Sequence, residues 1–321
     1  MSQRIIVIGA VNMDLTGTPL VKLRGGDSNP GRVQFSHGGV GRNIAENLCR
    51  LGRPVSLITM MGDDSFAESI SKGCREIGMD LSMCLRDPES RTSTYLCVTE
   101  QNGDLHTAVS DMEIYDRLTP EKLEPFLPAL NEAALVIVDA NLPKETIGWI
   151  GREVTAPIAA DPVSVAKVGR LRGILERLEM MKPNVPEAEL LTGVQVRNDA
   201  DFARIAGVLL GFGVRRVFLS LGDRGVYYSD GRDSGHLPCF AGPVVNTTGC
   251  GDAFLAAAAD AWLDGLGIRG CALRALAAAA HCAADLNSVS TTLNKEVLLS
   301  QLGGFPIAPQ TPFGPHINKQ K

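Results

Sequence analysis

Residues 245–254 have the sequence VNTTGCGDAF, and an alanine-rich run follows directly and extends to Trp262. Glycines and small polar residues allow the backbone to turn its N–H groups inward, and a following helix adds the positive end of its dipole. The segment therefore predicts an anion-binding loop with one carboxylate, Asp252, at its edge. An acid repels a statically bound phosphate, but it can accept a hydroxyl proton while the loop stabilises a transferred phosphate. This combination indicates phosphoryl transfer.

On both sides of this segment, short apolar runs alternate with helical patterns. Buried strands that alternate with helices are typical of a mostly parallel, doubly wound α/β sheet with helices on both faces. The predicted strands are 5–9, 55–60, 135–139, 158–161, 180–183 and 217–221. The predicted helices are 41–51, 66–77, 120–131, 144–153, 166–176, 200–211, 253–264 and 272–286. Ligands bind such sheets beyond the carboxyl ends of the strands.

Two segments, about 16–36 and 92–110, interrupt this alternation. The second contains Asn102-Gly103 between two strand-like runs, which is a common sequence for a tight hairpin turn. Together the two segments predict a small antiparallel β-sheet that projects as a lid. Residues 1–302 are thus predicted to form one domain with the lid segments inserted, and residues 303–321 to form a loosely attached tail that contains Gly and Pro.

The composition narrows the classes of partner. The chain has 321 residues, 45% of them hydrophobic, and a formal net charge of −5. Nucleic-acid polymers are disfavoured as partners because proteins that bind them usually carry a basic face. No secretory signal and no apolar run of membrane-spanning length is recognised, so a cytoplasmic protein without a membrane partner is expected. The eight cysteines form no C-x-x-C pair, which favours free thiols over a zinc site.

Two polar motifs near the N-terminus are candidates for substrate binding. Gly38-Gly39-Val40-Gly41-Arg42-Asn43 opens the first predicted helix, where glycines allow close approach of a ligand. A tight turn before a helix explains this motif equally well, and its spacing is not that of a dinucleotide fingerprint or a P-loop. Asn12 and Asp14 follow the first strand and can face one cleft, although an Asx-turn is the alternative.

Three further motifs follow later strands. Lys182-Pro183-Asn184-Val185-Pro186-Glu187 offers an amide and a carboxylate oxygen suited to Mg²⁺, unless Glu187 is simply an acid in the first turn of a helix. The glycine turn from Ser220 to Gly225 fits either a nucleotide-binding shelf or an ordinary hairpin. Lys167 lies six residues beyond a strand end, where it either contacts phosphate or substrate or is a solvent-exposed lysine.

In this order and spacing the motifs resemble the ribokinase-like, or PfkB-type, sugar and nucleoside kinases. The two signatures of that family match Gly38-Gly39-x-Gly41-x-Asn43 and Thr247-Thr248-Gly249-x-Gly251-Asp252. The resemblance covers about residues 4–302. It implies a ribokinase-like, Rossmann-like core with a β-sheet lid, often shared in a homodimer. It also implies transfer of the γ-phosphate of ATP to a sugar hydroxymethyl group, with Mg²⁺ as the metal.

The resemblance implies a role for each matching residue. Asp252 is the expected base for the 5′-hydroxyl, and the backbone amides of 248–252 are the expected anion hole, which includes Gly249, Cys250 and Gly251. The expected nucleotide-binding residues are Asn184, Ser220, Gly222, Gly225, Thr248, Gly249 and Gly251. The expected substrate-binding residues are Asn12, Asp14, Gly39, Asn43, Ser93, Tyr95, Lys167 and Asp252. Asn184 and Glu187 are expected to organise Mg²⁺ through water.

Within the family, the chain most resembles the kinases of pseudouridine. The resemblance rests on residues 27–31 leading into the glycine motif, on residues 92–96 and 139–142, and on 161–164 with Lys167. The expected reaction is therefore 5′-phosphorylation of pseudouridine. Ribose, adenosine or uridine as acceptor is the first alternative, and a sugar-binding sensor that has lost its chemistry is the second.

Two positions depart from the family pattern. Cys250 stands where the family usually has alanine, and a thiol at a helix N-terminus is expected to be easily oxidised or alkylated. Asn246 stands where many members have an aspartate that often helps to bind a monovalent cation. The resemblance therefore leaves activation by K⁺ open.

Overall fold

The computed structural model describes residues 4–302, and the predicted tail at 303–321 lies outside this range. The strands in this range are β1 Ile5–Ile8, β2 Asn12–Pro19, β3 Gly31–Gly38, β4 Val55–Ile58, β5 Met60–Gly62, β6 Leu85–Asp87, β7 Thr94–Thr99, β8 Leu105–Asp111, β9 Leu135–Asp139, β10 Ile158–Asp161, β11 Leu178–Met181, β12 Val217–Ser220, β13 Val226–Ser229 and β14 Ser234–Leu237. The α-helices are α1 Val40–Arg50, α2 Ser65–Glu76, α3 Pro120–Leu123, α4 Leu127–Glu132, α5 Lys144–Glu153, α6 Val165–Val168, α7 Val185–Thr192, α8 Ala200–Gly211, α9 Cys250–Leu263, α10 Ile268–Ala283 and α11 Lys295–Leu302.

The central sheet has eight strands in the order β14-β13-β12-β11-β10-β9-β1-β4. The six strands from β12 to β4 run parallel, and β13 and β14 continue the sheet as antiparallel edge strands. The chain passes from β1 to β4 on one side and to β9 on the other, so the strand order reverses at β1. Ligands bind open α/β sheets at such a point, beyond the carboxyl ends of the strands.

Helices cover both faces of the central sheet, as the doubly wound pattern predicts. Successive residues of β1 point to opposite faces, so Ile6 and Ile8 enter one hydrophobic cluster while Ile5 and Val7 enter the other. The first cluster includes residues of α5, α7 and α8, and the second includes residues of α1, α2, α9 and α10. The central strands are buried on both sides, which explains their continuous apolar sequences.

A separate four-stranded sheet, called here the small sheet, has the order β3-β2-β7-β8. The hairpin at Asn102-Gly103 joins β7 to β8, and Gly103 has a φ of 86° that favours glycine. The expectation of a wholly antiparallel sheet is wrong, because β2 and β7 pair in parallel. Parallel strands need a long crossover connection, and these two strands are joined through β3, α1, α2 and the strands between them.

Several helices differ from their predicted form. The pattern at 120–131 is not one helix: a 3₁₀ turn at Glu124–Phe126 separates α3 from α4, and Pro125 and Pro128 cannot donate backbone hydrogen bonds. The pattern at 166–176 is also not one α-helix, because a 3₁₀ helix at Gly169–Arg177 follows the short α6. Helix α11 is not among the helices predicted from the sequence. Within residues 4–302, no helix is both long and apolar enough to cross a membrane.

Candidate active site

Asp139, the last residue of β9, holds three parts of the site together. Its carboxylate is fully buried and accepts the N–H groups of Ala10, Gly41 and Asn141, each at 2.8 Å. These bonds join the end of β1, the start of α1 and the loop after β9. Asp139 is therefore an organiser of the site, and the sequence signal for it is an acid at the carboxyl end of a buried strand.

The two signature motifs meet through a side-chain hydrogen bond. Gly39 has a φ of 98°, and a Cβ atom there would lie 2.4 Å from the carbonyl oxygen of Ala10, so only glycine fits. This turn starts α1 and places Asn43 in its first turns. Asn43 is buried, and its Nδ2 donates to Asp252 Oδ2 at 2.8 Å although 209 positions separate the two residues.

Asp14 and Asn12 lie side by side on β2. Asn12 Nδ2 donates to Asp14 Oδ1, and the Asp14 carboxylate lies so close to Gly38 that a Cβ there would approach it to 2.3 Å. Burial raises the pKa of Asp14 to about 6, although the Arg42 charge and the Asn12 amide oppose this. Tyr95 pairs with Asp14 in the β2–β7 register, so both side chains leave the same face of the small sheet.

Two predicted substrate residues have partners within the protein. The Ser93 hydroxyl donates to the carbonyl oxygen of Asp111 at 2.9 Å, which fixes the base of the small sheet. Lys167 is half-buried, and its Nζ donates to Asn141 Oδ1 at 2.5 Å. Burial lowers the pKa of Lys167. The alternative of a solvent-exposed helix lysine is therefore wrong. Because Asn141 binds Lys167, we add Asn141 to the candidate site.

The predicted anion loop leads directly into α9. Gly249 has a φ of 84°, and a Cβ atom there would lie 1.8 Å from the carbonyl oxygen of Ser288. Two of the five amides at 248–252 have partners in the loop: Thr248 N–H donates to Asn246 Oδ1 at 2.9 Å, and Cys250 N–H to the Thr247 carbonyl at 3.3 Å. Gly251 and Asp252 lie in the first turn of α9, where a helix offers its amides no carbonyl.

Asp252 has the electrostatics of a proton acceptor. Its side chain is buried, and burial together with the nearby charge of Asp161 raises its pKa to about 8, against the effects of Asn43 and Lys182. A general base works best when its pKa lies near the working pH. The carboxylate that the sequence places beside the anion loop is thus perturbed in the direction that proton transfer requires.

Asn184 and Glu187 form a reciprocal cap at the start of α7. Asn184 Oδ1 accepts the Glu187 N–H, and Glu187 Oε2 accepts the Asn184 N–H, both at 2.9 Å. Such a capping box stabilises a helix start on its own. Glu187 is therefore an acid in the first turn of a helix, which is the simpler of the two interpretations of the sequence. A part in metal binding would be additional to this capping role.

The glycine turn after β12 lies beside this cap. Ser220 and Asn184 form an isolated parallel β-bridge, and the Ser220 N–H donates to the Pro183 carbonyl oxygen at 2.9 Å. Gly222 and Gly225 have φ values of 65° and 93°, and β13 returns antiparallel to β12. The segment is a hairpin, as the simpler interpretation predicts, and it brings Ser220 next to Asn184.

The two positions that depart from the family pattern are both engaged locally. The Asn246 amide donates to the Leu286 carbonyl at 3.0 Å while its oxygen accepts the Thr248 N–H, so it fixes the shape of the anion loop. A hydrogen bond with the Cys282 thiol lowers the pKa of Cys250, and the same contact raises the pKa of Cys282. The direction for Cys250 agrees with the expected reactive thiol.

A buried carboxylate with a raised pKa at a helix start, hydrogen-bonded to Asn43 and next to the first-turn amides of α9, is the arrangement expected of a phosphotransferase that acts on an alcohol. The family model described as "pfkB family carbohydrate kinase" matches residues 2–293 of this chain. The chain therefore belongs to that family. It is accordingly an ATP-dependent kinase of a sugar or nucleoside with a ribokinase-like fold.

Individual relatives agree with this placement. The pseudouridine kinase of Escherichia coli K12 is 36% identical over 264 residues, which are 82% of this chain and 84% of that protein. A sugar kinase of the same organism, YeiI, is 34% identical over 92% of this chain and 82% of its own length. The solved structure of a carbohydrate kinase from Agrobacterium tumefaciens has a TM-score of 0.84 and 29% identity, and covers 95% of this chain and 99% of that one.

Proposed function

We propose that the protein transfers the γ-phosphate of ATP to the 5′-hydroxyl of a nucleoside, and that pseudouridine is the preferred acceptor. The observation that carries the proposal is the hydrogen bond between Asn43 and Asp252, because it joins the residue proposed to bind a hydroxyl group to the residue proposed as the base. The 36% identity to a pseudouridine kinase supports the choice of acceptor. Family membership favours this enzyme over a sugar sensor without chemistry.

In the proposed reaction, the protein aligns the reactants and stabilises charge. Asp252 accepts the hydroxyl proton as the acceptor oxygen bonds to phosphorus, and the α9 amides stabilise the charge on the phosphoryl oxygens. Each such donor is worth roughly 10²- to 10³-fold in kcat in enzymes where one was removed. Asp14, Gly39 and Asn43 surround the proposed position of the ribose hydroxyls, while Ser220, Gly222 and Gly225 line the proposed nucleotide site.

The proposed metal is Mg²⁺ bound together with ATP. The capping bonds use one oxygen of Asn184 and one of Glu187, so these residues fit an ion that keeps its own waters better than an ion that needs several protein ligands. Asn184 and Glu187 would hold such an ion through the waters that it keeps. When bound there, it would neutralise charge that develops on the phosphates.

A panel of acceptors tests the proposed function. With purified protein, ATP and MgCl₂, we expect kcat/KM for pseudouridine to exceed that for uridine, adenosine and ribose by roughly tenfold or more, since a site built to hydrogen-bond one acceptor rejects those that lack its groups. Phosphorylated product is measured by chromatography. A value for pseudouridine no better than for uridine or ribose would contradict the choice of acceptor but leave the kinase activity intact.

We propose further that residues 1–302 act as one kinase domain and that the small sheet covers the acceptor and forms a homodimer. One face of this sheet carries an apolar row that crosses all four strands, since Phe35, Leu15, Leu96 and Val109 are aligned by the strand register. Phe35 and Val109 are 61% and 62% exposed. Exposed apolar surface of this kind marks an interaction site, and a second copy related by a twofold axis is the most common partner.

The proposed homodimer is tested by the introduction of acidic residues into this apolar row. We expect Phe35→Asp/Val109→Asp to convert a dimer to a monomer, measured by light scattering after size exclusion, because buried unpaired charges destabilise an interface. Leu190→Asp, which charges an exposed leucine on α7, is the matched control and should leave the mass unchanged. A wild-type protein that is monomeric at micromolar concentration would argue against the proposed dimer.

A reducing compartment such as the cytoplasm is the proposed location. All eight cysteines are free thiols, and Cys74, Cys271 and Cys282 are buried. Free thiols persist in a reducing environment, whereas secreted domains usually pair them. The cysteine inventory therefore supports the location expected from the sequence.

A further inference from the structure

Lys182 carries a buried charge, and the reaction proposed above does not use it. It follows β11 directly and is only 8% exposed. Its Nζ lies 3.5 Å from Oδ2 of Asp161, the last residue of the neighbouring strand β10. Charge-assisted hydrogen bonds are usually 2.7–2.9 Å long, so this pair is close but not fully joined.

The ammonium group of Lys182 lies against the anion loop. A Cβ atom added to Gly251 would meet Lys182 Nζ at 2.9 Å and Cε at 3.5 Å, and nothing else within 4 Å. Glycine at this position therefore leaves room for the ammonium beside the first turn of α9. The same turn carries Asp252, so the cation, the free amides and the base lie around one point.

Asp161 is held so that one carboxylate oxygen, Oδ2, faces Lys182. Its Oδ1 accepts the Val163 N–H at 2.8 Å, across a turn in which Val163 has a φ of 67°. Val163 is the only non-glycine residue with a positive φ in the described range, and such strain is concentrated at functional sites. Asp161 Oδ2 is buried and has no hydrogen-bond partner among the described residues, which is unusual for a carboxylate oxygen.

We propose that Lys182 is a further catalytic residue, which donates from its ammonium group to the oxygens of the transferred phosphoryl group, and that Asp161 is the positioning residue that holds it there. This inference rests on the proposed phosphoryl transfer. The acceptor oxygen bonds to the γ-phosphorus and gives its proton to Asp252. The bond from that phosphorus to the bridging oxygen breaks and leaves its electron pair on ADP, while Lys182 keeps its protons throughout.

A purely structural role for Lys182 makes a different prediction. If the lysine only neutralises the buried Asp161 charge, removal of both charges together should restore activity. If it contacts the phosphoryl group, the neutral pair should fold well but remain slow. The double variant Lys182→Met/Asp161→Asn separates these roles, and it also avoids the unpaired buried charge that could unfold the single variant.

The experiment compares Lys182→Met, Asp161→Asn and the double variant with wild type, using the acceptor with the highest kcat/KM in the panel. We expect Lys182→Met and the double variant to lose roughly 10²- to 10³-fold in kcat, with the acceptor KM within about threefold of wild type. Asp161→Asn should lose less, because the lysine remains. Gly251→Ala should also lower kcat, because the added methyl group displaces the ammonium group while Lys182 itself remains. Lys295→Met, which removes an ion-paired lysine on α11, should not.

A binding measurement gives an independent readout. Calorimetry should show that the double variant binds ATP at least fivefold more weakly relative to ADP than wild type does, because only ATP carries the γ-phosphate. A double variant with kcat within threefold of wild type and an unchanged ATP/ADP affinity ratio would overturn the proposal. Failure of the proposed function is distinguishable, because it appears in the wild-type protein as the absence of nucleoside phosphorylation.

Discussion

Replacement of Asp252 by asparagine is expected to lower kcat by roughly 10²- to 10⁴-fold, the range that general-base catalysis supplies. Asparagine has nearly the same shape, and its oxygen can still accept the hydrogen bond that Asn43 Nδ2 donates at 2.8 Å. The hydroxyl-binding side of the site should therefore persist. We expect the dissociation constant of the nucleoside, measured by calorimetry, to stay within about threefold of wild type.

The pH profile provides the internal control for this variant. Only the ionised carboxylate accepts a proton, and burial raises the pKa of Asp252 to about 8. Wild-type kcat/KM should thus rise with pH and level off above about 8, whereas the residual activity of Asp252→Asn should lack that rise. Asp264→Asn, at the other end of α9, should keep full turnover. Retained turnover in Asp252→Asn would remove the assignment of Asp252 as the base.

Replacement of Gly249 by alanine is expected to lower kcat by more than about 100-fold, the loss typical of one missing oxyanion donor. The φ of 84° costs a residue with a Cβ about 1–2 kcal/mol. The larger effect is steric, because the new Cβ would lie 1.8 Å from the Ser288 carbonyl oxygen. The start of α9 has to move to relieve this contact, and its amides and Asp252 move with it.

Gly265→Ala is the matched control for this prediction. Gly265 follows the same helix and has a φ of 81°, but an added Cβ there would meet nothing within 4 Å. The control should therefore carry the backbone strain without the clash, and lose thermal stability but not activity. Equal kinetic losses in both variants would mean that strain in general, and not the position of the anion loop, limits the reaction.

The central sheet was predictable because its strands are buried on both faces. Runs such as residues 5–9 and 135–139 are continuously apolar, and this property depends only on local sequence. The small sheet was harder, since the hairpin at Asn102-Gly103 is local whereas the parallel pairing of β2 with β7 depends on the path of the chain between them. The 3₁₀ segment at Gly169–Arg177 was missed because its apolar spacing does not separate it from an α-helix.

The residues of the candidate site also fall into two groups, those that local sequence motifs identify and those that only the folded structure identifies. Gly39 and Gly249 were identified from motifs, and both occupy conformations that favour glycine. Asp139 and Asp161 are the last residues of the predicted strands 135–139 and 158–161 and receive no role from the sequence, although both end buried strands at the carboxyl edge of the sheet. Spacing along the chain cannot show that Lys182 Nζ lies beside Gly251, because that proximity arises from packing α9 against the strand ends.

The path of β2 has a consequence for how the enzyme turns over. The strand begins inside the body at the buried Asn12 and Met13, carries Asp14, and ends as part of the small sheet. If the small sheet covers the acceptor as proposed, β2 connects the proposed acceptor-binding residue Asp14 directly to that cover. Opening this cover to release product would then also move Asp14, so we expect the two events to be coupled. An acceptor without the hydroxyl groups that Asp14 is proposed to bind is therefore expected to lose catalytic rate as well as affinity, because it would not favour the closed position of the cover.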